Sequence, residues 1–334
     1  MVSATKCIAG GHGAVAQLAV QGRLQAVKSA HRGDKSSARR LRFEAAHLAA
    51  ITHDSFPKAC GLTETPQGPV LQMDWVDGRT VEPLIAERPM ISTDACLLVA
   101  ADVCAALADV NAQIGFVHRD IKPANLMVTP QGRIMIVDLG CARSSHGDPD
   151  WKGDIVGTLV YMAPERLDGG DHGPEVDVYG VGLVLLELLC GARVGHKPWG
   201  TTADAPRIGS VSSERHHTGI LYALRSADAA RGTSLDRAIW ATVFGMLAWD
   251  ADKRPSLGDA AKDLRRLVRD EATARAELAD CVQRITKREE PVQQVGARAP
   301  RGRRFVAQIG AAAAMAACAG LALLLTAPPL AGVA

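Results

Sequence analysis

The run Val117-His118-Arg119-Asp120-Ile121-Lys122-Pro123-Ala124-Asn125-Leu126-Met127 constrains this chain more than any other stretch. It sets a carboxylate at Asp120, an amine two residues on at Lys122 and a carboxamide five residues on at Asn125. Thirteen residues beyond Asn125 comes Asp138-Leu139-Gly140, after the apolar, strand-like run Ile134-Met135-Ile136-Val137. Moving a phosphoryl group requires such parts: an acceptor for a hydroxyl proton, oxygen ligands for Mg²⁺ and a cation near the transferring charge.

The run resembles the catalytic loop of protein kinases, and Asp138-Leu139-Gly140 resembles their Asp-Phe-Gly metal-binding turn. The resemblance implies that Asp120 orients the substrate hydroxyl and accepts its proton. It puts Lys122 beside the γ-phosphate, as in serine/threonine rather than tyrosine kinases, and makes His118 structural. Asn125 and Asp138 become the ligands of Mg²⁺, with Mn²⁺ as the alternative metal. Arg119 would pair with a phosphate on the activation segment, residues 138–165, whose hydroxyls are few: Ser144, Ser145 and Thr158. The two serines are the expected autophosphorylation sites, and Asp148, Asp150 and Asp154 offer a source of negative charge without modification. Cys141 reads as a small core residue.

Upstream, Ile8-Ala9-Gly10-Gly11-His12-Gly13-Ala14-Val15 precedes Leu24-Gln25-Ala26-Val27-Lys28. Glycines let a hairpin backbone approach triphosphate oxygens closely. The stretch resembles the kinase glycine loop and the strand lysine that follows it. Gly10 and Gly13 match its second and third glycines, and Ile8 stands at the first. Residues 39–51 read as a helix with Leu41, Leu48 and Ile51 along one side. By resemblance its Glu44 pairs with Lys28; the alternative is a solvated charge beside Arg40. Val70-Leu71-Gln72-Met73 reads as a strand running into a hinge, with Met73 as gatekeeper and Asp74 and Val76 offering backbone groups to adenine. Val15, Ala26 and Met127 would sandwich the purine.

Helical spacing of apolar residues runs from Asp94 to Gln113, and 177–189 is apolar nearly all round, as befits a central helix. By resemblance Asp177 anchors the catalytic-loop backbone, and Arg254 of Lys253-Arg254-Pro255-Ser256 pairs with Glu165 of Ala163-Pro164-Glu165. The segment from Pro198 to His217 reads as a variable surface loop. The expected fold is therefore α+β and two-lobed, a protein-kinase-like domain over residues 1–269. Its small β-rich N-lobe takes about 1–73 and its larger helical C-lobe about 79–269, with ATP in the cleft. A charged, basic juxtamembrane linker follows at 270–304, starting as a solvated helical stalk.

Residues 305–327 carry no charge and, at ~1.5 Å per residue, reach ~35 Å as a helix, enough for a bilayer core. A transmembrane helix is expected there, with 328–334 as a short tail; a buried or oligomerising Ala-rich helix is the alternative. Arg298, Arg301, Arg303 and Arg304 on its N-terminal flank favour a cytoplasmic kinase domain in a single-pass inner-membrane protein. Gly310 and Gly320 suit helix pairing and a homodimer. No signal peptide is read at the N-terminus. The net charge of +2 gives no reason to expect a nucleic-acid partner. The eight cysteines lack Cys-x-x-Cys spacing, which speaks against a zinc site or a disulfide scaffold. The resemblance thus implies a membrane-tethered bacterial serine/threonine kinase acting on protein hydroxyls. A binding-only pseudokinase and a small-molecule kinase of the same plan are the rivals.

Overall fold

The computed structural model describes residues 3–10, 13–20, 22–31, 33–86, 91–144, 159–169, 173–193, 217–219 and 236–289. Outside them lie the expected membrane span at 305–327, the 290–304 part of the linker, the tail, Ser145, Thr158, Asp148, Asp150 and Asp154. The described residues fall into two compact units. One draws on Met1–Ala49 and Pro57–Val76, the other on Ala50–Phe56 and Asp77–Glu290.

In the first unit, strands β1 (Ser3–Gly10), β2 (Gly13–Val20), β3 (Arg23–Ser29), β4 (Ala59–Thr65) and β5 (Gly68–Asp74) form one sheet in the order β1-β2-β3-β5-β4. All four pairings are antiparallel. Val15 stands opposite Lys28, and Ala26 opposite Met73. Opposed residues share a face of the sheet, as do residues two apart in a strand. Val15, Ala26, Lys28 and Met73 therefore occupy one face. Helix α1 (Lys35–Ala50) buries Leu41, Ala45 and Leu48 at helical spacing, together with Glu44. Arg42 ties α1 to β4 through a two-pronged contact with Glu64 at 2.6 and 2.8 Å. Both side chains are about half exposed, so this pair adds little stability.

The second unit is built mainly of helices: α2 (Val81–Ala86), α3 (Thr93–Ile114), α4 (Pro164–Leu167), α5 (Glu175–Cys190), α6 (Arg237–Met246), α7 (Leu257–Leu267) and α8 (Glu271–Glu289). Short strands β6 (Arg79–Thr80), β7 (Phe116–Val117), β8 (Leu126–Val128), β9 (Ile134–Ile136) and β10 (Arg143–Ser144) frame its loops. The order β6-β8-β9 makes one small sheet, and β7 pairs β10. At the centre, α3 packs against α5, α7 and α8. Ser92 caps its start by accepting from the Ala95 N–H (3.1 Å), and Gly115 ends it in the left-handed region. Among the described residues α3 is long and apolar enough to cross a bilayer, but 67% of its most apolar 18-residue stretch is buried inside the protein. It is a core helix.

One expectation needs correcting. Residues 270–289 are not a solvated stalk: α8 buries Ala274, Leu278, Cys281, Val282 and Ile285 against the unit. Charges outnumber apolar residues in this stretch, and the composition hid an apolar stripe at i, i+4, i+7, i+8 and i+11.

Candidate active site

The loop after β7 is held by its backbone before any side chain acts. The Asp177 carboxylate accepts the His118 N–H and the Arg119 N–H, both at 2.7 Å. Burial raises the Asp177 pKa, and the two amides and His118 oppose that shift. Helix α5, which carries Asp177, can come this close because residue 180 is glycine: a Cβ there would meet Ile121 at 3.0 Å. Arg119 takes a positive φ of 68°, and Arg166 from α4 donates to its carbonyl oxygen. His118 is fully buried; its Nδ1 accepts the Asp120 N–H at 3.3 Å, and its ring meets Phe116 edge-on.

On this scaffold three candidate residues converge. Lys122 Nζ donates to Asp120 Oδ2 at 2.6 Å, and Asn125 Nδ2 donates to the Asp120 carbonyl at 2.8 Å and to Asp120 Oδ2 at 3.0 Å. Asp120 and Asn125 are both buried. Both partners of the Asn125 NH₂ are acceptors, which fixes the amide's orientation and leaves Oδ1 as the end open to a cation. Asp138 adopts φ 64°, a conformation that non-glycine residues seldom take. A carboxamide oxygen and a carboxylate are the hard donors Mg²⁺ takes when phosphates complete its shell. Among the described residues no three His, Cys, Asp or Glu cluster as a dedicated protein cage. The donor set therefore fits a metal carried in with a nucleotide.

Burial first, then the Asp120 and Asp138 carboxylates, push the Cys141 thiol up to about 12. A thiol pushed that far up stays protonated at pH 8. Iodoacetamide at that pH is expected to label the exposed Cys60 well before Cys141, as peptide mapping would show; the reverse order would contradict the site's electrostatics.

In the first unit, Lys28 Nζ lies 2.9 and 2.7 Å from the two Glu44 carboxylate oxygens, and both residues are buried. Glu44 is 2% exposed, so the solvated partnership with Arg40 does not hold. Val15, Ala26 and Met73 share the Lys28 face of the sheet. The Asp74 N–H is taken by the Lys58 carbonyl at 2.9 Å, and Val76 lies just beyond β5. Gly10 and Gly13 face each other where β1 meets β2. Met127 is the middle residue of β8 in the second unit.

Two features escaped sequence reading. Arg119, Arg143 and Arg166 stand close enough that burial, Arg166 and Arg143 together press the Arg119 pKa down to about 10. Buried Arg119 Nε finds no hydrogen-bond partner. Further along, Tyr161 Oη lies 3.1 and 3.0 Å from the carboxylate of Glu187, a fully buried acid in α5. A charged residue inside the apolar run 177–189 was the available signal for that pair.

A buried carboxylate held against a lysine and an asparagine, beside a second carboxylate in a strained turn, defines a phosphotransferase-type loop. Comparison gives the family: the protein kinase domain matches residues 6–264, and the chain belongs to it. It is 31% identical to the serine/threonine-protein kinase PknB of Mycolicibacterium smegmatis, over 56% of this chain and 31% of that one. The same figures hold for PknB of Mycobacterium tuberculosis. Identity to the serine/threonine-protein kinase PknL of M. tuberculosis is 30%, over 56% of this chain and 49% of that protein. The chain thus spans about a third of the length of the PknB relatives it matches.

Proposed function

We propose that this chain is a serine/threonine protein kinase that transfers the γ-phosphoryl group of Mg·ATP to Ser or Thr hydroxyls of proteins, itself included. The observation that carries this reading is the triad in one loop: Asp120 within 2.6 Å of Lys122 Nζ and 3.0 Å of Asn125 Nδ2. In this role Asp120 takes the hydroxyl proton as the oxygen attacks phosphorus, and Lys122 balances charge on the transferring group. Lys28, held by Glu44, grips the phosphates, with Gly10 and Gly13 along them. Val15, Ala26, Met73 and Met127 flank the adenine, and Asp74 and Val76 meet its edge. Asn125 and Asp138 would hold the Mg²⁺, which when bound neutralises charge on the β- and γ-phosphate oxygens. Most of the rate enhancement then comes from positioning and charge stabilisation.

The Arg119, Arg143 and Arg166 group supports a second element of the reading, a phosphate on Ser144 or Ser145 that pairs with it. Purified chain incubated with γ-labelled ATP should label itself and a protein pool but neither aminoglycosides nor choline. The Lys28→Met variant should label nothing. Label in the small molecules alone, or none in the wild type, overturns the reading.

The kinase is further proposed to be tethered to the inner membrane by residues 305–327, with its catalytic part in the cytoplasm and the span able to pair with a second copy. Uncharged length and the flanking arginines support this. Fractionation of native cells checks it: the chain should stay in the membrane pellet after an alkaline carbonate wash, and release into the supernatant would refute the anchor.

A further inference from the structure

We propose that Arg275, on helix α8 beyond the residues that match the kinase family, is a positioning residue for Asn125 and Asp138, acting through the β8–β9 hairpin; this rests on the kinase reading above. The two candidate metal ligands stand at the feet of that hairpin. β8 begins directly after Asn125, β9 ends two residues before Asp138, and Leu126 pairs with Ile136. The Val137 N–H donates to the Asn125 carbonyl at 2.9 Å, joining the feet. The hairpin's geometry therefore sets the spacing of the ligands. Strands of three residues are short, and β6 on the outer side of β8, with the buried Leu126, Val128, Ile134 and Ile136, holds their length but not their turn.

The support sits at the other end, on the turn. Gly132 has φ +73°, and a Cβ placed on it would lie 2.3 Å from the Arg275 carbonyl oxygen, so the helix backbone rests on the turn itself. Arg275 Nη1 donates to the Gly132 carbonyl at 3.3 Å and to Asp102 Oδ2 on α3 at 3.1 Å, while Nη2 reaches Glu271 at 2.9 Å. Arg265 Nη2 lies 2.5 Å from the other Asp102 oxygen. A cavity of about 310 Å³ runs beside β9, lined by Asp102, Ala106, Arg133, Met135 and Arg275 among others. At the foot of β9 the Ile136 N–H donates to the Ser55 carbonyl at 2.7 Å, which leaves the turn end as the part held by Arg275.

Helix α8 is fixed independently of this tie. Its apolar stripe is buried, and its Glu277 carboxylate accepts the Ser92 N–H at 3.2 Å. In return Asp94 accepts the N–H groups of Arg269 and Asp270 at 2.9 and 3.1 Å. Removing the Arg275 guanidinium therefore takes away the side-chain hydrogen bond to the turn, leaving the backbone contact and the docked helix in place. The consequence reaches Asn125 and Asp138 as loss of alignment rather than loss of a ligand.

The test uses the full chain as wild type, Arg275→Ala and Gly132→Ala, with Arg266→Ala on the exposed face of α7 as control. Gly132→Ala pushes the turn away while keeping the guanidinium. Hydrogen exchange is followed over residues 126–137, and Mn²⁺ uptake in the presence of ADP is followed by paramagnetic resonance. Both variants should exchange faster in that stretch and bind Mn²⁺·ADP roughly fivefold more weakly, short of the roughly 10–100-fold lost when a ligand's direct partner is removed. The metal requirement for phosphoryl transfer should rise while KM for the protein substrate holds. Wild-type exchange and metal affinity in both variants overturn the positioning role. A wild-type chain that takes up no Mn²⁺ with ADP instead overturns the kinase reading.

Discussion

Asp120→Asn is expected to keep the fold and lower phosphoryl transfer by about a thousandfold, within the range typical of a lost general base. The amide is the same size as the carboxylate and still accepts from Lys122 and Asn125 through its oxygen, so the loop's geometry survives. What it loses is the capacity to take a proton and the negative charge that fixes Lys122. Nucleotide affinity should change little, because Asp120 is assigned no contact with ATP. Single-turnover transfer alongside ADP titration separates the two effects. Equal rates for variant and wild type would remove Asp120 from the chemistry, and with it the present assignment of the loop.

Arg254→Ala is expected to produce the largest loss of stability. Arg254 is buried and donates twice to Glu165, at 2.6 and 2.8 Å. It also donates to the carbonyls of Ala248 at 2.8 Å, Glu175 at 3.0 Å and Trp249 at 3.2 Å. Its guanidinium lies 4.9 Å from the centre of the Tyr179 ring. Truncation removes the donor from three carbonyls and leaves the Glu165 carboxylate, whose side chain is 22% exposed, to find water at the rim of a site shaped for a cation. Breaking a buried pair by deleting one partner costs about 3–5 kcal/mol. For a unit of this size that lowers the melting midpoint by roughly 10 °C. Calorimetry should show that drop. An unchanged midpoint would mean that Glu165 finds other partners. Arg254→Lys should fall between the two, because an ammonium cannot reproduce the planar fork.

How much of this was legible beforehand differs along the chain. Helices α1 and α3 were read from apolar spacing, because burial on one side of a helix leaves a period in the sequence, and α5 from a run apolar nearly all round, as befits a helix buried on every side. Lys28 with Glu44 and Arg254 with Glu165 were nominated by resemblance to a family; spacing alone gives no reason for residues 89 positions apart to meet. Residues 270–289 were misread because their apolar stripe is outnumbered by charge. The Arg119, Arg143 and Arg166 group went unread because it depends on β10 and α4 reaching one loop.

The sequence by itself determined the list of chemical groups: an acid, an amine and an amide within six residues, a second acid after a strand, and a lysine on a β-strand. Local order carries that information because loop spacing and strand alternation are short-range properties of the backbone. Resemblance nominated Asp177 as the anchor of the loop; only the tertiary structure decided that it takes the His118 and Arg119 amides together, and which glycine admits a helix against the loop. It alone showed that the last described helix rests on the hairpin whose feet are Asn125 and Asp138. Those are contacts between residues distant in sequence, fixed by close packing and by the need of buried polar groups for partners.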